Sequence, residues 1–371
     1  MLFKEVVGQD KIKQHLIESY QHGRTAHAQI LVGGEGCGHL ALALAYAQYL
    51  QCENPTETDA CGVCLNCYKA KKFIHPDIHF AFPTIGTGKI SNDFIKEWRE
   101  LLAENPYPSL PQWLQKIGAE NQQGNINKNE CVEIVRKLTS YSLEGKYKVL
   151  ILWQPELLGN EGNRLLKLIE EPEENTVFLL VAENPQRILN TILSRCQLVQ
   201  IPRLSDNEVI NYLHQQLKVS VQRAATLAYL AEGNLNKAQQ LAETASDDNG
   251  KLCCEWLQIC QDGNGFEFYK WVKSLNDSER KMGRKQQVVF LQYVLHFLRE
   301  LLAFKVHNDS EKIKLAAAEI AYIQRFMGWK FGQIQQIMER IDEAIFFIER
   351  NVSDKILFLN LCAQLHKIIR P

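Results

Sequence analysis

Residues 28 to 45 read as a short apolar run, a glycine-rich turn and a stretch of good helix formers: Ala28-Gln29-Ile30-Leu31-Val32, then Gly33-Gly34-Glu35-Gly36-Cys37-Gly38-His39, then Leu40-Ala41-Leu42-Ala43-Leu44-Ala45. A strand feeding a helix through such a loop is the core unit of a phosphate-binding α/β fold, whose loop reads G-x-x-x-x-G-K-[ST]. Its glycines let backbone N–H groups surround phosphates, its lysine reaches the β and γ oxygens, and its hydroxyl ligates magnesium. Gly33, Gly36 and Gly38 keep that frame, but His39 stands in the lysine position and Leu40 in the hydroxyl position. Leucine offers no oxygen to magnesium. The residues alone leave two readings: a chance cluster of glycines, or a nucleotide-binding fold that has lost its hydrolytic chemistry.

The rest of the first half supports an α/β layout. Apolar runs at 78–82, 149–153, 177–181 and 198–201 alternate with helical segments, which predicts a five-stranded parallel sheet covered on both faces. The spacing predicts a helix over 163–171, with Leu165, Leu166, Leu168 and Ile169 on its apolar side and Pro172 as its stop. Residues 83–129 carry Pro106, Pro108 and Pro111, Trp98 and Trp113, and a polar run over 121–127, and are expected to form an insertion on the first domain. Helical patterns over 206–217, 220–231 and from 236 predict a small helical lid domain. Beyond it only helical periodicity remains, with Ile334, Ile337, Met338, Ile341, Ile345 and Ile348 at i, i+3, i+4 spacing. Residues 288–302 are apolar on more than one side, as in a helix buried in a bundle or covered by a partner subunit. The expected domains are 1–203, 204–250 and 251–371.

Composition sets limits. With 46% hydrophobic and 23% charged residues the chain of 371 residues is globular, and 42 basic against 43 acidic residues argue against a dedicated nucleic-acid binder. Charge at Lys4 and Glu5, and no apolar run near the roughly 18 residues of a membrane span, give the expectation of a cytoplasmic protein with no membrane partner.

The sharpest chemical signal is Cys52, Cys61, Cys64 and Cys67, spaced C-x8-C-x2-C-x2-C. In a reducing compartment four thiolates this close match a structural Zn2+ site, which would also order a loop with little apolar content. Cysteine recurs at 37, 131, 196, 253, 254, 260 and 362, so four unrelated thiols stay the alternative. A further candidate is Arg195 in Ser194-Arg195-Cys196, directly before a strand. It reads either as an arginine finger for phosphoryl transfer or as a surface, salt-bridged arginine. Tyr68, Lys69, Lys71 and Lys72 form a small basic patch that reads as a solvated face or a phosphate contact.

Taken in order, Gly23-Arg24, His27-Ala28, the Gly33 to His39 loop, the four cysteines, His75-Pro76-Asp77, Asn163-Arg164-Leu165-Leu166-Lys167-Leu168-Ile169-Glu170-Glu171-Pro172 and Ser194-Arg195-Cys196 resemble bacterial clamp-loader ATPases of the AAA+ class, over roughly residues 5 to 245. The resemblance implies an AAA+ domain, a lid and a C-terminal helical collar, with Arg195 as a finger acting on ATP bound by a neighbouring subunit. Motor subunits of that family carry Lys and Thr in the loop, Asp-Glu after the third strand and an arginine in the lid. Here those places hold His39 and Leu40, Trp153 and Gln154, and Asn236. The pattern is thus similar to the non-hydrolysing delta-prime type of subunit in the DNA polymerase III clamp loader. The partners so implied are gamma/tau-like motor subunits, a delta-like clamp-opening subunit, and the sliding clamp and primer-template DNA within the complex. Two other readings stay open: an active gamma/tau-like ATPase with an atypical loop, and a zinc-dependent DNA-binding module.

Overall fold

A computed structural model describes residues 1–120, 122–244, 249–275, 282–307, 315, 317–350 and 352–370. Asn121, in the polar run of the expected insertion, lies outside them. The chain forms two compact units, Met1–Val209 with Glu232–Lys237, and Ile210–Ala231 with Ala238–Pro371.

The first unit is built on strands β1 (Ala28–Val32), β2 (Ile78–Ala81), β3 (Lys148–Trp153), β4 (Thr176–Ala182) and β5 (Gln197–Gln200), in the order β2-β3-β4-β1-β5. Every pairing is parallel, with Ile30 beside both Leu180 and Leu198. The expected five-stranded parallel sheet is therefore present. Its central strands are buried on both faces, which is why they read as unbroken apolar runs instead of alternating ones. Helices α1 (Asp10–Gln21), α2 (His39–Gln51) and α3 (Leu65–Lys71) belong to this unit, and every residue of α2 is buried.

The proline-spaced segment is helical, with α4 (Ile95–Glu104) and α5 (Leu110–Lys116). Pro111 sits in the first turn of α5 behind an N-cap at Ser109, so this proline begins a helix. Both tryptophans are fully buried. Trp98 stacks on Phe82 with ring centroids 4.4 Å apart and lies 5.0 Å from Trp153, and the Trp113 indole donates to the Pro83 carbonyl at 2.7 Å. A backbone bridge joins Thr84 and Asn125. The segment thus supplies part of the sheet's cover. After α6 (Lys128–Leu138), the helix expected over 163–171 divides into a 3-10 stretch at Gly159–Leu165 and α7 (Leu166–Glu170). It stops before Pro172 because the residue ahead of a proline favours extended backbone. A single turn, α8 (Asn190–Leu193), precedes β5.

Beyond the sheet, the described chain is helical: α9 (Asp206–Leu217), α10 (Val221–Ala231), α11 (Leu235–Thr244), α12 (Asn249–Asp262), α13 (Gly265–Ser274), α14 (Arg284–His307), α15 (Ala317–Phe326), α16 (Phe331–Glu349) and α17 (Asp354–Ile369). The core of the second unit gathers Trp256, Trp271, Phe290, Phe297, Phe326, Ile337 and Phe358. Ile334, Ile337, Ile341 and Ile348 of α16 are buried as their spacing predicts. Helix α14 buries Phe290, Leu291, Val294, Phe297, Leu298 and Leu301 together with His296 and Glu300, which explains its apolar character on several sides. Among the described residues Gln286–His307 is long and apolar enough to cross a membrane, and 61% of its apolar window is buried inside the protein.

Candidate functional site

The glycine loop leaves the C-terminal end of β1, where open parallel sheets place their ligands. Gly33 N–H bonds to the Ala182 carbonyl at 3.0 Å and Ile201 N–H to the Val32 carbonyl at 2.7 Å, fixing the loop between the ends of β4 and β5. Gly36 and Gly38 take φ of 69° and 96°, a conformation that favours glycine. The frame is intact, and this chain's own atoms close over it. A Cβ on Gly36 would lie 1.9 Å from Asn234 Oδ1, and one on Gly33 would lie 2.4 Å from Cys37 Sγ. Leu235 N–H donates to the Gly36 carbonyl at 3.1 Å. Glu35 Oε1 accepts from Asn234 Nδ2 at 3.1 Å and Asn236 Nδ2 at 3.4 Å, and Asn236 Oδ1 accepts from Asn105 Nδ2 at 2.9 Å.

Charge follows the same direction. Burial, assisted by Glu35 and Glu156, pushes the Glu183 carboxyl up to about 7, against a hydrogen bond from Gln154 at 2.8 Å. Glu156 Oε1 accepts the backbone N–H groups of Glu183 and Asn184 at 2.6 and 2.7 Å. Carboxylates beside the loop oppose a polyphosphate, where a nucleotide site would present cations. His39 is the first residue of α2 and is only 3% exposed; burial pushes it down to about 4, and its Nε2 has no hydrogen-bond partner among the described residues. The N-cap of α2 is Gly38, and His39 fills space as a neutral ring.

The four cysteines come together. The Sγ atoms of Cys52, Cys61, Cys64 and Cys67 all lie within 4.8 Å of one another. The Cys61 and Cys67 sulfurs are 3.9 Å apart, close to the edge of about 3.8 Å for a tetrahedron with bonds of roughly 2.3 Å. Backbone N–H groups of Cys61, Cys64 and Cys67 point at the sulfurs of Cys52, Cys61 and Cys64 at 3.2, 3.4 and 3.4 Å, the second shell that metal thiolates use. The N–H groups of Val63 and Cys64 draw the Cys61 thiol down to about 6, while burial raises those of Cys52 and Cys67. One thiolate is accessible near neutral pH, and a divalent cation would drive the ionisation of the others. The donor set fits a single thiophilic ion.

Arg195 follows α8 and is partly exposed at 33%. Its guanidinium pairs with Glu170 of α7, and its Nη1 donates to the Thr191 carbonyl at 2.7 Å and Ser194 Oγ at 3.3 Å. Gln197 pairs with Gln29, and Gln200 with Val32 where the glycine loop begins. Arg195 therefore lies just before β5 begins, at the opposite end of the strands from the loop. It is not placed to reach its own chain's loop.

The contacts of Glu35, Glu183, Asn234 and Glu170 could not be read from the sequence. The apolar run over 177–181 ends close to Glu183, which was the available hint. The basic patch is partly spent, since Lys69 pairs with Glu144 and Lys72 Nζ lies 4.4 Å above the Tyr68 ring.

The chain is similar to several known proteins. The chain is 24% identical over 303 residues to DNA polymerase III subunit delta' of Escherichia coli strain K12, covering 81% of this chain and 76% of that one. It is 24% identical over 313 residues to subunit delta' of Bacillus subtilis strain 168, covering 82% and 80%. To DNA polymerase III subunit gamma of Buchnera aphidicola it is 24% identical over 351 residues, covering 91% and 84%. The family model described as "DNA polymerase III, delta subunit" matches residues 8–205. That stretch is more than half of the chain and holds the glycine loop, the cysteine cluster and Arg195, so the chain belongs to the DNA polymerase III delta-subunit family of clamp-loader proteins.

Proposed function

We propose that this chain is a delta-prime-type subunit of the DNA polymerase III clamp loader, which does not hydrolyse ATP itself and supplies Arg195 to the ATP site of a neighbouring motor subunit. The observation that carries this reading is the pairing of a closed loop with a displaced arginine. Asn234, Asn236 and Glu35 cover the Gly36 turn, and Arg195 stands at the opposite end of the strands. Trp153, Gln154 and Leu40 offer neither a carboxylate nor a hydroxyl for magnesium. On this reading the subunit works in the cytoplasm beside gamma/tau-like motors and a delta-like opening subunit, helping place the sliding clamp on primer-template DNA. Residues 1–203 serve as the AAA+ body, 204–250 as the lid and 251–371 as the collar. Cys52, Cys61, Cys64 and Cys67 hold a structural zinc ion that orders the loop before α3 and takes no chemical part.

The gamma-subunit relative favours a second reading, in which the chain is itself an ATPase. Equilibrium binding and steady-state turnover with magnesium-ATP, measured on the purified chain, separate the two. We expect no turnover above background and no binding at millimolar ATP. Turnover that disappears in a Gly38→Val variant would establish the ATPase reading instead.

A further inference from the structure

Among the described residues the first unit exposes eight large apolar side chains, and six of them fall in two short segments: Val63, Leu65, Tyr68 and Ile74 around α3, and Tyr141 and Leu143 before β3. Val63 is 87% and Leu143 76% exposed. The segments adjoin, because Lys69 of α3 pairs with Glu144. The second is pinned in place by the Asp77 carboxylate, which accepts the N–H groups of Leu143, Glu144 and Gly145 at 2.7, 2.8 and 2.7 Å. Apolar exposure concentrated in this way marks a contact surface, whereas scattered single residues would need no explanation. Val63 and Leu65 flank Cys64, so the cysteine cluster holds them in position and little ordering entropy opposes binding.

The rim decides the partner. Lys71 and Lys72 are exposed, with no carboxylate partner among the described residues, and the nearby acid Glu144 is neutralised by Lys69. We propose that this face, with Val63, Leu65, Tyr68 and Leu143 at its centre and Lys71 and Lys72 at its edge, docks an acidic segment of a partner protein that carries apolar anchor residues. The apolar side chains here are mainly aliphatic, and the Tyr68 ring already carries Lys72, so the face lacks the successive aromatic platforms on which single-stranded bases stack. Aliphatic anchors seat apolar side chains of a protein, while the lysines add charge attraction and on-rate.

The test is selection of a random twelve-residue peptide display library on the zinc-loaded full chain, depleted on a Val63→Asp, Leu65→Asp variant of equal zinc content and thermal midpoint. Enriched peptides should combine Asp or Glu with Leu, Ile, Phe or Trp. When synthesised they should bind the chain about tenfold or more tightly than the variant. Binding should weaken several-fold in a separate Lys71→Glu, Lys72→Glu chain of equal thermal midpoint, and weaken with added salt. No enrichment, enrichment of basic peptides, or equal binding to both variants would overturn the proposal. So would an oligothymidylate of thirty nucleotides that displaces the selected peptides and is itself lost in the variants, which would assign the face to nucleic acid.

Discussion

The buried histidine at position 39 makes the loop's contribution to stability depend on pH. Burial holds His39 at about 4, against about 6.5 for an unperturbed imidazole. Between those values the unfolded chain takes up a proton that the folded chain refuses. The stability is fully present above about pH 6.5 and is lost as pH falls toward 4. A gap of this size corresponds to about 3 kcal/mol. A His39→Leu variant, which keeps the volume and removes the proton site, should show a flatter fall of thermal midpoint between pH 7 and pH 4. The flattening is partial, because burial also pushes His79 down to about 4. A pH profile identical to that of the parent chain would contradict the buried, neutral assignment. Residues 39, 40, 153 and 154 could be singled out in sequence because the resemblance expects Lys, Thr and Asp-Glu there. The closure by Asn234 and Asn236 was not, since it unites Glu35 with side chains about two hundred positions away, and no local period or spacing encodes such a meeting.

Elements were read best where one force dominates. The buried strands β1, β3 and β4 stood out as unbroken apolar runs, and the spacing of α16 gave its buried face directly. The segment holding α4 and α5 escaped because its prolines read as loop punctuation, whereas Pro111 opens a helix and Trp98 and Trp113 complete the cover beside Phe82. The cysteine loop was legible from spacing alone, but which backbone groups steady the sulfurs was not. At this scale the zinc proposal predicts one zinc ion per chain by elemental analysis. Cys64→Ser should lower that content and the thermal midpoint, and removal of metal by a chelator should open the 52–67 loop to proteolysis while cleavage in α16 stays unchanged. Full thermal stability and protection without metal would refute it.

For the molecule as a whole, parallel pairing of β1 with β5 sets the glycine loop and Arg195 at opposite ends of adjacent strands. A chain so arranged cannot turn its arginine on its own loop. On the proposed reading, a ring of related subunits would present that arginine to a neighbour once it is released from Glu170. A transition-state arginine supplied in this way contributes roughly 10³ to 10⁵ in rate at the site it enters. The central claim is therefore tested most directly by the DNA-stimulated ATPase rate of the reconstituted clamp loader carrying Arg195→Ala, with assembly checked by size in the same sample. An intact complex whose rate falls by the contribution of the adjoining motor site is the predicted result, and an intact complex with an unchanged rate would contradict it.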